Sequence, residues 1–257
     1  MLHADETPVA QLDPGAGKTR RAYLFAYRTA VGPPIVLFDY CATRAGKHAA
    51  DFLGDWNGAL MVDDYGGYKA LFAAGITELG CWAHARRKFV DVHQARASPL
   101  AKEALDRIGA LYAIEAKLHD LDDETRQRER QRHLAPKLDA LKRWLDELQP
   151  TVLGHSGLAA AVNYTLKRWS ALARVLDDGA YPIDNNPIEN AIRPIAIGRK
   201  NWLFAGSETA GRRAAAIMSL LATAKANAIE PHAWLTDTLN RLPITKDHDI
   251  ATLLPLA

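Results

Sequence analysis

The spacing of apolar residues changes twice along this chain, and that change limits the folds open to it. Up to about residue 80 the apolar residues fall in short runs, Arg21 to Ala30, Pro34 to Ala42, Ala59 to Asp63 and Ile76 to Trp82. These runs are rich in Val, Ile, Phe and Tyr and are separated by turns such as Gly15 and Gly32-Pro33-Pro34, which is the pattern of strands. Gly46 to Trp56 and Tyr68 to Ala74 read as short helices between them, and a basic helix begins at Ala83. From about 95 to 180 the spacing is helical throughout. Leu105, Ile108, Leu111 or Tyr112, and Leu118 mark one amphipathic helix. Leu134, Leu138, Leu141, Leu145 and Leu148 step by four and three residues, a seam of about two heptads. Pro136 has no N–H to donate, so that helix is expected to start there. The two helices predict an antiparallel hairpin within the chain rather than a dimer zipper. A third helix is expected from an N-cap at Ser156 to about Leu176. Beyond it come a helix at Glu189, a short Arg-Lys-Asn-Trp segment, helices from Glu208 to Ala228 and from Pro231 to Leu242, and a weakly structured tail.

This alternation predicts an α/β core split by a helical insertion. Residues 1-94 form the first part of the core, 95-180 the insertion, 181-244 the completion of the core and 245-257 the tail. With 48% hydrophobic and 24% charged residues the composition is that of a soluble globular protein. The net charge of +2 excludes any argument from a global polycation, so nucleic-acid binding has to rest on local clusters. Cys41 and Cys81 are too few for a disulfide framework or a zinc module. Met1 to Ala10 holds no apolar signal core, and the longest apolar run, Ala214 to Ala224, is too short to span a bilayer and reads as a buried helix. The expected location is the cytoplasm, with no membrane partner.

Three acidic positions stand out. Asp5 falls on an expected strand, on the same face as His3, with Pro8 ending or edging the strand. Asp63 closes a run of apolar residues, where a carboxylate is costly unless paired or metal-bound. The following Asp64-Tyr65-Gly66-Gly67 is also a good turn, and spacing does not decide between Asp63 and Asp64. Glu189 follows Asn186-Pro187-Ile188, which reads as an N-cap, Pro at the first helical position and a capping-box Glu. The same position also exposes a carboxylate at a helix mouth, so capping and chemistry are both open. Basic residues recur beside these acids: Lys18, Arg20 and Arg21; Arg86, Arg87 and Lys88; Arg193, Arg199 and Lys200; Arg212 and Arg213. Together they favour a phosphodiester substrate. Trp202 stacks on a base or sugar, or anchors the core. Gly15-Ala16-Gly17-Lys18-Thr19 imitates the end of a phosphate-binding loop, but Leu12 stands where its first Gly belongs. Cys81 and His84 lack a second pair at zinc spacing.

On these residues the chain resembles the insertion-sequence-66 transposase family, in its large transposase subunit. The likeness runs through Ala4-Asp5-Glu6-Thr7-Pro8, Asp13-Pro14-Gly15, Asp63 to Tyr68, Gly80 to Phe89, Asp184-Asn185-Asn186, Glu189, Arg193-Pro194, Gly198 to Ser207 and Leu253-Leu254-Pro255. The resemblance implies a ribonuclease-H-like mixed-sheet core with a helical insertion and C-terminal helices. It implies an acidic triad of Asp5, Asp63 and Glu189 holding Mg²⁺ or Mn²⁺, in a two-metal site with ions about 3.5–4 Å apart. Asp64 stands where the family commonly has Gly. DNA contacts are expected at Lys18, Arg86, Arg87, Arg193, Arg199, Lys200 and Trp202. The partners implied are transposon ends and target DNA, further copies of the chain on that DNA, and accessory transposition proteins, in the bacterial nucleoid. Family members carry an N-terminal half with a zinc-binding, DNA-recognition region that is absent here. A second expectation is therefore a truncated, catalytically idle remnant that binds DNA or a partner subunit.

Overall fold

The computed structural model describes Met1 to Leu256. Five strands form one sheet, β1 (Leu2–Asp13), β2 (Lys18–Thr29), β3 (Val36–Cys41), β4 (Ala59–Val62) and β5 (Thr77–Gly80), in the order β3-β2-β1-β4-β5. With the helices described below this makes a mixed α/β fold, as the alternating periodicity predicts. The described residues divide into two compact units. A sheet unit comprises Met1–Leu60, Asp64–Ile76 and Asn186–Ala257, and a helical unit comprises Met61–Asp63 and Thr77–Asn185.

In the sheet unit, β1 and β2 form a long antiparallel hairpin that pairs Leu2 with Thr29 and Asp13 with Lys18. The imitation phosphate loop is the turn of this hairpin, with Gly15 and Gly17 at φ of 83° and 63°. Of the two roles expected of Pro8, ending the strand is not the one taken, since β1 runs through it. The amide of Leu12 and the carbonyl of Ala10 both bond Ala205, on the side away from β2. By alternation the nitrogen of Pro8 points the same way, so its missing hydrogen costs the β1–β2 ladder nothing. After β3 come two short helices, α1 (Lys47–Leu53) and α2 (Lys69–Ala73).

The helical unit holds α3 (Trp82–Arg96), α4 (Pro99–Leu118), α5 (Asp123–Glu129), α6 (Ala135–Leu148), α7 (Gly157–Lys167) and α8 (Trp169–Ala173). The leucine seam at 134, 138, 141, 145 and 148 is wholly buried, against Trp82, Phe89, Ile108 and Leu111. The α6 helix starts at Ala135 with Pro136 in its first turn, as expected, but does not start from a loop. A π-helical turn, Arg130–Leu134, joins α5 to it without a gap. A π turn shifts the backbone register by one residue and absorbs a proline that an unbroken α-helix would reject. Ser156 caps α7 as expected, accepting from the amide of Ala159 at 3.1 Å. The expected single helix to Leu176 is broken at Arg168, whose buried guanidinium reaches Glu78 at 2.7 Å. Arg130 is 2% exposed, forks onto Glu115 at 2.8 and 2.6 Å, and also bonds the carbonyls of Val175 and Asp178.

Three helices complete the sheet unit, α9 (Asn186–Trp202), α10 (Glu208–Ala226) and α11 (Pro231–Arg241). Ile188, Ile192 and Ile195 make one stripe of α9 and bury against Val9, Ala22, Leu24 and Ala26, each worth about 1.5–3 kcal/mol. Arg199, Lys200, Asn201 and Trp202 are the last turn of α9 and not a separate segment. Pro194 lies inside the helix on its exposed side, where a lost intrahelical bond leaves a carbonyl within reach of water.

The α10 helix is not buried all round. Its inner face is the stripe Gly211, Ala215, Ser219 and Thr223, while Ile217 is 53% exposed. The stripe lies along β3, close enough that a Cβ on Gly211 would stand 2.4 Å from the Tyr40 ring. Phe38 donates its amide to the Ser219 hydroxyl at 2.8 Å, and Val36 donates to Thr223 at 3.0 Å. Two hydroxyls one helical turn apart thus serve two strand amides that β2 does not reach. The tail is structured: Asp247–Leu253 forms 3-10 turns, Leu253 is buried, and its carbonyl accepts from the Trp234 indole at 3.0 Å. Among the described residues no helix is long and apolar enough to cross a membrane.

Candidate active site

Period-two alternation sends the side chains of β1 to two faces. His3, Asp5, Thr7, Val9 and Gln11 share the face that α9 covers, because Val9 packs with Ile188 and Ile192. Asp5 is half-buried there, and its Oδ1 accepts from the amide of Glu6 at 2.7 Å. Glu189 is half-buried in the first turn of α9. The helix is assigned from Asn186, one residue before the expected cap leaves room for. Asp5 and Glu189 thus belong to one unit, on two elements that pack together. Asp63 directly follows β4 and Asp64 begins the next stretch of the sheet unit; both are half-buried.

The opposite face of β1 carries a carboxylate that sequence reasoning passed over. The Glu6 side chain is 1% exposed. Its Oε1 accepts from Arg44 Nε at 2.8 Å and its Oε2 from the Tyr68 phenol at 3.0 Å. The Arg44 guanidinium lies 3.9 Å over the Tyr65 ring, and the Tyr65 hydroxyl bonds the Arg44 carbonyl. Burial, and then the Glu6 charge, push the Tyr68 phenol well above its ordinary range. It therefore stays a proton donor and holds Glu6 in place. An acid at an inward strand position needs such partners, and that rule, applied to Glu6 in alternation with Asp5, was the available signal.

The basic residues divide between the units. In the sheet unit Lys18, Arg20 and Arg21 are exposed at the start of β2, and Arg193 and Lys200 are exposed on α9. Arg199 is half-buried, and its Nη1 donates to the Pro8 carbonyl at 2.5 Å. Trp202 is half-buried and packs against the cluster of Val9, Ile192 and Ile195. In the helical unit Arg86 and Arg87 are exposed on α3, opposite the buried Ala85 and Phe89. Cys81 is buried ahead of α3, and its sulfur accepts from the Asn185 amide at 3.2 Å. Asp184 is buried as well and accepts from the Tyr112 phenol at 2.9 Å. Burial, and then Asp184, raise the Tyr112 phenol. Asp184-Asn185 therefore anchors the end of the helical unit where the chain leaves for α9.

A match over most of the chain gives its family: residues 1–213 match the Transposase IS66 family. Residues 219–256 match the IS66 C-terminal element, and the chain belongs to this family. Among relatives in Sinorhizobium fredii, uncharacterized protein y4qI is 39% identical over 94% of this chain and 47% of its own length. Uncharacterized protein y4jD, from the same organism, is 35% identical over 99% of this chain and 53% of its own. The chain spans about half the length of the curated relatives it matches. No solved structure matches it.

Proposed function

We propose that this chain carries the chemistry of a DNA transposase, cutting phosphodiesters and joining the freed 3′-hydroxyl to target DNA, with Asp5, Asp63 and Glu189 as metal-holding carboxylates. One observation supports the reading: Glu189 stands in the first turn of α9, the helix that packs on the strand carrying Asp5. Arg199 is tied to Pro8, and Ala205, further along, is tied to Ala10 and Leu12. Going back from Arg199 therefore runs toward the start of β1. Glu189 lies about 15 Å back along the helix axis, and Asp5 about 10 Å back along the strand from Pro8. Asp63 is the third carboxylate by family resemblance.

The chemistry of these donors suits a hard divalent ion. All three acids are half-buried, and an all-carboxylate set suits Mg²⁺ or Mn²⁺, which keep some of their waters. When bound, such an ion would acidify a water and stabilise charge on the reacting phosphate oxygens. Arg193, Arg199, Lys200 and Lys18 would position DNA phosphates on the sheet unit, and Arg86 and Arg87 on the helical unit, adding affinity more than sequence choice. Trp202 supports this surface from beneath. Assembly of several copies on DNA in the nucleoid, with accessory proteins, accords with this chemistry.

The test is a cleavage and strand-transfer assay on labelled duplexes carrying the ends of the parent element. Asp5→Asn and Glu189→Gln should each lower turnover by about 10²- to 10³-fold or more, with DNA binding in metal-free buffer unchanged. Mg²⁺-dependent cutting at the parent rate in both variants would reject the assignment.

A further inference from the structure

The corner of the sheet unit where α9 ends holds a depression of about 450 Å³, lined by Pro8, Ala10, Arg20, Arg21, Arg199 and Leu203 among others. Three arginines face one concavity, and little inside the protein neutralises them. Arg20 is 4.0 Å from Glu208, whose carboxylate is already bonded to Arg212 at 2.8 Å. Arg21 is exposed. Arg199 uses Nη1 on Pro8 and Nε on Ala196, which leaves the Nη2 amino group with no bond among the described residues. A guanidinium held by one side of its fork and open on the other is preorganised for a phosphate.

Beside the arginines the chain does something costly. Leu203 has φ of 60°, the left-handed region that glycine adopts at helix ends. A leucine is strained there, and its side chain adds little to the core, since Leu203 is 62% exposed. Phe204 next to it is 40% exposed. The two apolar tips are not loose. The Leu203 amide bonds the Arg199 carbonyl at 3.0 Å, and on the other side the Ala205 amide bonds the Ala10 carbonyl at 2.8 Å. The result is a clamped apolar tip on the rim of a cationic depression. A basic surface with an apolar wedge is what proteins use to grip a duplex backbone while pressing between its base pairs.

We propose that this corner is a duplex-DNA subsite, in which Arg20, Arg21 and Arg199 take backbone phosphates and Leu203 with Phe204 presses into the adjoining base step. The proposal rests on the DNA reading above and gives that substrate a place and a deformation. The closing experiment uses the full chain in metal-free buffer, so it does not depend on catalysis. Binding to a duplex oligonucleotide containing 2-aminopurine is followed by anisotropy over a salt series, and base unstacking by 2-aminopurine fluorescence. Arg20→Gln and Arg21→Gln, both at exposed positions, should each lower the slope of log affinity against log salt by about 1. Arg199→Gln should do the same. Leu203→Gly suits the left-handed backbone and should keep the fold. It should leave the salt slope unchanged and abolish most of the fluorescence rise, as should Phe204→Ala. A parental salt slope in the Arg20→Gln/Arg21→Gln double variant overturns the phosphate subsite. An undiminished fluorescence rise in Leu203→Gly and Phe204→Ala overturns the wedge. Failure of the parent chain to bind duplex at all would reject the DNA reading itself, and the subsite with it.

Discussion

The two units handle charge in opposite ways. In the helical unit the buried arginines are consumed internally. Arg130 has a bidentate carboxylate and three carbonyls, and Arg168 meets Glu78. These groups hold helix ends together. In the sheet unit the Glu6–Arg44–Tyr68 cluster is used that way. Asp5 and Glu189 stay half-buried, and Arg20, Arg21, Arg193 and Lys200 stay exposed. The contrast teaches that a count of charges does not locate chemistry. Charges consumed in the interior are structure, and half-buried or exposed ones are the candidates for function.

Each unit also carries one cysteine, which makes the contrast measurable. Cys41 lies in the sheet unit and Cys81 in the helical unit, both buried. Burial, and then the hydrogen bond to Asp39, push the Cys41 thiol up to about 12. It therefore stays protonated at neutral pH and should react with an alkylating agent only when its unit opens. The largest stability effect is expected from Arg130→Ala. It leaves Glu115 without its bidentate partner and should cost about 3–5 kcal/mol. Urea melts should show this loss, with Cys81 alkylated before Cys41; the reverse order would break the comparison. Next come Gly211→Ala, which drives a methyl into the Tyr40 ring, and Ser219→Ala, which takes the acceptor from the Phe38 amide. Each should cost about 1–3 kcal/mol, with Cys41 now the faster cysteine. The smallest effects are at the helix caps, one per unit. Ser156→Ala and Ser207→Ala each remove an acceptor 3.1 Å from a first-turn amide and should cost about 1 kcal/mol. The first should speed labelling of Cys81 alone and the second that of Cys41 alone. Equal acceleration of both cysteines by either variant would mean that the units do not open separately.

Much of this architecture could be read from the residues, because period and composition report on burial. The strand runs, the leucine seam and the Ser156 cap each reflect one local rule. The misreadings came where a local rule met a remote partner. Pro8 reads as a strand end or a strand edge until Ala205 shows which side its nitrogen faces. Pro136 marks the start of α6, but the π turn that leads into it leaves no mark in apolar spacing. The run Ala214 to Ala224 reads as fully buried, yet the face that packs is defined by small and hydroxyl residues, Gly211, Ala215, Ser219 and Thr223, which hydropathy ignores. At the candidate site, Asp5 and Glu189 were visible as unusual carboxylates. The face of β1 that each neighbour takes, and with it the role of Glu6, depended on a register set by β2.

The hydroxyl rungs on α10 have a consequence beyond fold stability. An outer strand with open amides is a template onto which any extended chain can add. Any protein at high local concentration is exposed to that hazard. By giving the amides of Val36 and Phe38 to Thr223 and Ser219, the molecule closes that seam with a helix, and a copy that lost both hydroxyls would be the one to seed a fibre.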